Sequence, residues 1–554
     1  MKINLKLGPR EEDILIEAKE DVTIEELCEI YGKDLPYTIL AAKADGKIVE
    51  LTNMTTGLSS IELLDMRNHG ANLIYQYSLS LIYLKAIEDV LGKVPVEIQN
   101  SLNKGLYTQI KTKLPITQNQ VKAIELRMEK LVKADKPIVK HILPRKEALK
   151  FLADEGYTEK FQLMQSLKGL TSAKFYSIDN CWNFFYGHMV PSTGYIKHFQ
   201  LKKYRRGVIL RFPYPSNPNE IPPYVDEKKL CLAFGEAKKW NKLTGVSYLP
   251  DLNRKVENGE YKDLILLSEA LHEKKISEIA DMITGEKKRI ILIAGPSSSG
   301  KTTFARRLCI QLRVNGLEPL YLGTDDYFTE RYLAPLDEEG NPNFENLDVL
   351  DIELFNDHLN KLMAGEVVDL PAFDFIEGKK NFGKRITSIK AHQPIVIEGI
   401  HGLNQALTPY VKDENKFKIY ISPFTQLNVD SHNRIPTTDA RMLRRMVRDY
   451  LYRGHSGRST IAEWPKVRAG EDKNIFPFSG EADVLFNSAL TYELAVLKKY
   501  AKPLLEAIEQ DQPEHSEAVR MLKFIDAFDV IEDDSIIPNN SIIREFIGGS
   551  IFVE

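Results

Sequence analysis

A chain of 554 residues that is 43% hydrophobic and 27% charged is too long for one core and too apolar for disorder. At about 150 residues per domain it should hold three or four domains. A formal net charge of -4 supplies no global field to gather nucleic acid or anionic lipid, so any polyanion must be met by a local basic cluster. Cys28, Cys181, Cys231 and Cys309 lack CxxC spacing, which argues against a disulfide framework or a zinc ribbon and suits a reducing compartment. No apolar run approaches the ~18 residues of a membrane span. The opening MKINLKLGPREEDILIEA lacks the apolar middle of a signal peptide, so the cytoplasm is the expected location and no membrane partner is expected.

In chain order, MKINLKL alternates apolar and polar residues, TIEELCEIYG reads as a helix, and TILAAKADGKIVEL reads as a hairpin turning at Asp45 and Gly46. An Asp-Gly pair supplies the positive φ angles of a tight turn. These elements predict a small α+β domain over residues 1–64. A second α+β domain is expected over 65–263, with helical patterns early (GANLIYQYSLSLIYLKAIEDVL) and a proline-rich loop late (RFPYPSNPNEIPPYVDE). A connecting helix over 264–288 follows. From 289 to 501 the runs RIILIAG, PLYLGTDD, PIVIEGI and KFKIYIS read as buried parallel strands of an α/β domain. An apolar extension over 502–554 is expected to pack on it. Open α/β sheets bind ligands at the carboxyl ends of their strands, so these runs should deliver their last residues to one crevice.

GPSSSGKT, at 295–302, lies between an apolar strand and a helical pattern, the setting of a phosphate loop. Its glycines let the backbone wrap with N–H groups inward, and the helix dipole adds positive potential where phosphates sit. The nucleotide-binding set is Gly295, Pro296, Ser297, Ser298, Ser299, Gly300, Lys301, Thr302 and Thr303. Lys301 is expected to reach the β and γ phosphates of ATP, and Thr302 to ligate Mg²⁺. Asp325, in YLGTDDYF, is the candidate to accept a hydroxyl proton, a role worth roughly 10²- to 10⁴-fold in rate. Alone, an Asp-Asp pair reads as a helix cap or a solvated turn. Glu398, after four apolar residues in PIVIEGIHG, reads either as a second metal residue or as a buried ion-pair partner. His401 nearby reads as structural. DARMLRRMVRDYLYRG places Arg441, Arg445 and Arg448 on one helical face. That is a lid over the transferring phosphoryl group, a solvated face or a nucleic-acid patch.

Taken together, GPSSSGKTTFARRL, TDDYF, NFENLDVLD, LPAFDF, VIEGIHG and RRMVRDYLYRG resemble the uridine kinase and phosphoribulokinase family of phosphate-loop kinases. The resemblance implies a parallel-sheet kinase fold using ATP and Mg²⁺, with Asp325 as catalytic aspartate and Glu398 as the acidic metal residue. By the same resemblance Arg445 and Arg448 are lid arginines reaching substrate and phosphate. Phe344, Glu345, Phe373, Arg445 and His455 fall at acceptor-binding positions. Glu345 stands where uridine-cytidine kinases carry a ribose-holding aspartate, Phe373 replaces a base-contacting tyrosine, and His455 replaces an arginine. A pocket that reads a base does so through buried polar partners, so these departures remove the warrant for pyrimidine specificity. Family members often form homo-oligomers, and nothing in the residues fixes a subunit number.

Residues 1–64 resemble a TGS domain, the ubiquitin-like module at the amino end of threonyl-tRNA synthetases. Residues 65 to about 250, with FFYGHMVPSTGYIKHFQL, are similar to the second amino-terminal domain of those enzymes, which edits mischarged tRNA and carries HxxxH and CxxxH pairs. Here the first pair is reduced to His69 and the second displaced to Cys181 and His188. Neither zinc nor editing is therefore expected. The basic stretch KHFQLKKYRRG at 197–207, with Tyr204 at its centre, is a candidate weak RNA contact. The expected activity is ATP- and Mg²⁺-dependent transfer of a phosphoryl group to the 5′-hydroxyl of a nucleoside. The alternatives are a sugar-phosphate or other small-alcohol kinase, with EGKKNFGKR at 377–385 holding an acceptor phosphate, and a nucleotide-switched RNA-binding protein.

Overall fold

The computed structural model describes residues 2–8, 13–17, 21–167, 169–333, 335, 345–374, 377–425 and 427–553. Phe344 lies outside the described residues. The chain opens on a five-stranded sheet whose spatial order is Ile14–Glu17, Lys2–Lys6, Ser60–Asp65, Ile39–Ala44, Lys47–Val49, with the helix Ile24–Tyr31 inserted in sequence after the second strand. Alternation in Lys2–Lys6 points Ile3 and Leu5 into the core. Asp45 and Gly46 take φ of 44° and 81°, as the hairpin turn requires. The strands Ile14–Glu17 and Ser60–Asp65 were not distinguished in the sequence. Ile14–Glu17 is an edge strand that buries only Ile16, too little to set a pattern.

The helix His69–Leu91 starts on an Asn68 cap, whose Oδ1 accepts from the Ala71 N–H at 3.2 Å. It is apolar on most of its circumference because it shares a core with Ile98 and Leu106 of a four-stranded sheet and with Tyr176 and Ile178 of a three-stranded one.

The parallel sheet runs in the spatial order Leu320–Gly323, Ile395–Glu398, Ile290–Ala294, Lys416–Ser422, Val484–Asn487. Every residue of Ile290–Ala294 and Ile395–Glu398 is buried, the continuous apolar run of a strand covered on both faces. Ile276, Ile279 and Ile283 of the helix Tyr261–Gly285 cover one face, together with Phe304 and Leu308. Ala233 and Phe234 of Lys228–Thr244, with Phe355 and Leu359 of Ile352–Ala364, cover the other. Two expectations change here. The helix expected at 264–288 as a connector is a layer of the α/β core and begins at Tyr261, and Lys228–Thr244, assigned to the second domain, packs on the parallel sheet. A connector and a layer helix have the same periodicity; only the surface they meet distinguishes them. The edge strand Val484–Asn487 was not read from the sequence.

The extension also enters this core, with Ile542 and Phe546 packed against Phe304. Residues 427–436, between the strand Lys416–Ser422 and the helix Thr437–Arg453, dock into the amino-terminal half. The Ile98 N–H donates to the Ser431 carbonyl at 2.8 Å, and Asn428 Nδ2 donates to the carbonyls of Ile98 and Gln99 at 3.3 and 3.2 Å. Asn433 accepts from the Tyr186 N–H and donates to the Phe184 carbonyl, both at 3.1 Å. Beneath them Lys160, 1% exposed, bonds Asn183 and His432 Nδ1 and lies 4.0 Å from Asp430. Burial pushes Lys160 down and Asp430 up, and each opposes the other's shift.

Candidate functional site

The strand Ile290–Ala294 ends in the loop at 295–300, and a helix begins at Lys301. A Cβ on Gly295 would lie 2.0 Å from the Ile421 carbonyl oxygen, so the close approach of loop and sheet requires glycine. Ser298 holds φ of 59°, a left-handed conformation that costs a non-glycine residue about 1–3 kcal/mol and accumulates at functional sites. Lys301 Nζ folds back to the Pro296 carbonyl at 3.3 Å.

Pairing register delivers Glu398 to the same place. It is opposite Ile293, which leads into the loop, and opposite Gly323, which leads to Asp325. Its Oε1 accepts from Thr302 Oγ1 at 3.0 Å and from the Tyr321 hydroxyl at 3.2 Å. Burial, with help from Asp325, pushes the Glu398 carboxyl up to about 7, against Lys301 and Thr302. A carboxylate and a hydroxyl at this spacing are hard oxygen donors of the kind Mg²⁺ takes, and the raised carboxyl is one whose ionisation a cation would favour. Because the folded-state value lies above the unfolded one, this group's contribution to stability declines as pH rises from about 4.5 through 7. A Mg²⁺ ion held here would require the ionised form, so any such affinity of the nucleotide-free protein should tighten about tenfold between pH 6 and pH 8, with proton release. Calorimetric titration of Mg²⁺ at both pH values checks this, and Glu398→Gln should abolish the dependence.

Asp325 follows the strand Leu320–Gly323 in a short 3₁₀ turn and is exposed. Crowding raises its carboxyl, a push that solvent access limits, while Lys301, Arg453 and Arg448 draw it down. Its neighbour Asp326 accepts from Arg385 at 2.6 Å and from the Phe373 N–H at 3.4 Å. Phe373 meets Phe328 edge to face at 5.6 Å.

The arginine helix Thr437–Arg453 divides its cations. Arg445 donates to Ser297 Oγ at 2.9 Å, and Arg441 donates to the Ser297 carbonyl at 3.0 Å. Arg441 and Arg444, 1% and 0% exposed, are ion-paired to Glu471 and Glu493. Arg448 pairs with Asp449 at 2.7 Å and reaches the site through its field at Asp325. Thus the cations do not converge as one lid: Arg445 alone combines loop contact with partial exposure, and Arg441 and Arg444 are internal struts. Glu471 also accepts from the Ser297 N–H at 3.1 Å, a loop contact with no signature in the sequence. Glu345 is pushed up to about 7 by burial and by Glu471, against Arg445, Lys301 and Arg441, and its carbonyl accepts from Asn474 Nδ2 at 2.8 Å. His455 lies 3.9 Å from Glu463, itself 3.6 Å from Arg445.

In the amino-terminal half, His69, Cys181 and His188 go to separate places. His188 Nδ1 is 3.3 Å from Glu50, Cys181 sits beside Glu88, and His69 faces Glu517 and Arg520. Among the described residues no three His, Cys, Asp or Glu side chains form a metal-holding group, and no helix is long and apolar enough to cross a membrane. In the basic stretch Arg205 and Arg206 are exposed at a hairpin turn beside a cavity of about 370 Å³, but the Tyr204 hydroxyl is bonded to Asp226 at 2.9 Å.

Residues 290–495 match the model of the Phosphoribulokinase / Uridine kinase family. The matched segment, in the carboxyl-terminal half, is similar to the kinases of that family. The amino-terminal region is similar to threonine–tRNA ligases: 28% identical over 184 residues to that of Marinobacter nauticus, covering 33% of this chain and 29% of the relative. The ligase of Caldanaerobacter subterraneus is 26% identical over 201 residues, covering 36% and 30%. The chain spans less than a third of the length of these curated relatives. Among solved structures, a possible uridine kinase from Bacillus stearothermophilus aligns at 21% identity and a TM-score of 0.27, over 38% of this chain and 97% of that one. A putative fructose transport system kinase from a Silicibacter species aligns at 18% identity and a TM-score of 0.28, over 38% and 98%. The family match supports a small-substrate phosphate-loop kinase acting on an alcohol group.

Proposed function

We propose that the kinase segment transfers the γ-phosphoryl group of ATP to the 5′-hydroxyl of a nucleoside. The observation that carries the reading is the meeting of Lys301, Thr302 and Glu398 at the strand ends, with Asp325 on the exposed side and Arg445 on Ser297. In this reading residues 295–303 hold the nucleotide phosphates and Lys301 draws charge from the β and γ groups. Thr302 and Glu398 hold Mg²⁺, which when bound neutralises phosphate oxygens. Asp325 accepts the proton of the acceptor hydroxyl as its oxygen bonds to the γ-phosphorus, and ADP leaves. Arg445 balances charge on the transferring group, and Glu345, Phe373 and His455 line the acceptor side.

The electrostatics of residues 377–385 favour an uncharged acceptor over a sugar phosphate. Lys379 pairs with Glu377 at 2.7 Å, Lys380 with Asp351 at 2.5 Å and Arg385 with Asp326 at 2.6 Å, so the run is largely neutralised by its own neighbours. ADP release with MgATP is expected for at least one ribo- or deoxynucleoside and for none of a set of sugar phosphates. Release only with a sugar phosphate transfers the reading to that acceptor class. ATP binding without release for any acceptor leaves a nucleotide-switched binding protein, and the kinase reading then fails.

A further inference from the structure

The helix carrying Lys301 and Thr302 starts on Gly300, and this position tolerates nothing larger. Its φ is 84°, and a Cβ there would lie 2.4 Å from Ile542 Cγ2. A glycine N-cap has no side-chain oxygen, so the first-turn N–H groups lack the acceptor that Ser, Thr, Asp or Asn would bring. Thr303 is at the third helical position, where such an acceptor normally reaches. Its N–H donates at 3.1 Å, and its hydroxyl at 2.7 Å, to one oxygen of Glu545, 242 residues further along the chain. Thr303 is fully buried and Glu545 is 7% exposed, so no water competes for these bonds.

We propose that Glu545 is a positioning residue of the phosphate loop, capping from the carboxyl-terminal extension the helix turn that presents Lys301 and Thr302. The inference rests on the reading of 295–303 as the nucleotide site. Three consecutive residues of this turn are each tied down: Lys301 to the Pro296 carbonyl, Thr302 to Glu398 and Thr303 to Glu545. The first two ties involve groups that must exchange partners when phosphate and metal arrive. The third joins the turn to the buried carboxyl-terminal extension, through the Thr303 hydroxyl as well as its N–H. Its anchor is rigid, since Ile542 and Phe546 are core residues and Phe546 lies under the Arg444 guanidinium at 5.1 Å.

The test compares MgATP binding by wild type, Glu545→Ala and Glu545→Gln in the full-length protein. Gln retains an acceptor oxygen without the charge. The Ala variant should bind MgATP at least ~10-fold more weakly and show a matching rise in the KM for MgATP, with the acceptor KM little moved; the Gln variant should lie within about threefold of wild type. A cap that only stabilised the fold would lower the melting temperature and leave the affinity of the folded molecules alone. Unchanged affinity in folded Glu545→Ala, or a Gln variant as weak as Ala, overturns the proposal. If the Ala variant does not fold, Glu545→Asp decides: drawing the carboxylate back by one methylene should weaken MgATP by about threefold, and unchanged binding overturns the assignment. A wild type that binds no MgATP refutes instead the reading of the loop itself.

Discussion

Asp325→Asn should lower acceptor-dependent turnover by ~10²- to 10⁴-fold while leaving MgATP affinity within about threefold of wild type. The asymmetry follows from where the residue stands. Asp325 follows a different strand from the phosphate loop, is exposed on the open side, and among the described residues makes no hydrogen bond to the loop. Asparagine keeps the shape but cannot take the proton that the acceptor hydroxyl must lose. Single-turnover rates with saturating nucleotide separate the two quantities, and near-normal turnover in the variant would remove Asp325 from the chemistry. Lys301→Ala provides the contrast, because on the proposed reading the lysine reaches the phosphates in the ground state as well, and its loss should cost binding and turnover together.

The largest stability effect is expected at Arg444→Met. The guanidinium is fully buried, donates to the Ser488 carbonyl at 2.8 Å and to Glu493 at 2.5 Å, and extends to the Ser298 carbonyl at 3.4 Å. Removing it strands the Glu493 carboxylate in the core with the Leu490 N–H still donating to it, a loss of about 3–5 kcal/mol. Replacing both partners, Arg444→Met with Glu493→Leu, should recover much of that loss, since well-packed apolar pairs often match a buried ion pair. Thermal melts of the three proteins measure the difference. A single variant as stable as wild type would mean that Glu493 finds a partner not seen here.

The parallel strands were legible because burial on both faces writes an unbroken apolar run, and the phosphate loop because its glycines answer local demands. Ile290–Ala294 with Gly295 shows both. The rest was set by tertiary contact. Arg441, Arg444, Arg445 and Arg448 look alike in sequence, yet burial beside Glu471 and Glu493 makes two of them struts. The Asp326–Arg385 pair that quiets the basic run joins residues far apart in the chain. Glu545 has no local pattern at all: an acidic residue in REFI is unremarkable until the fold places it under Thr303. Val484–Asn487 is too short to separate from a buried helix end by periodicity.

The docking of residues 427–436 bears on how such a fusion is inherited. The loop belongs by sequence to the kinase half, yet Ile98, Phe184 and Tyr186 of the other half complete its hydrogen bonds, and Lys160 balances its buried Asp430. An exchange of the amino-terminal half for an unrelated one would leave this loop with unmet side-chain amides and a buried acid without its cation, directly before the arginine helix. A chain truncated at the junction would suffer the same loss. The two halves are therefore matched in structure inside the kinase half as well as at the seam.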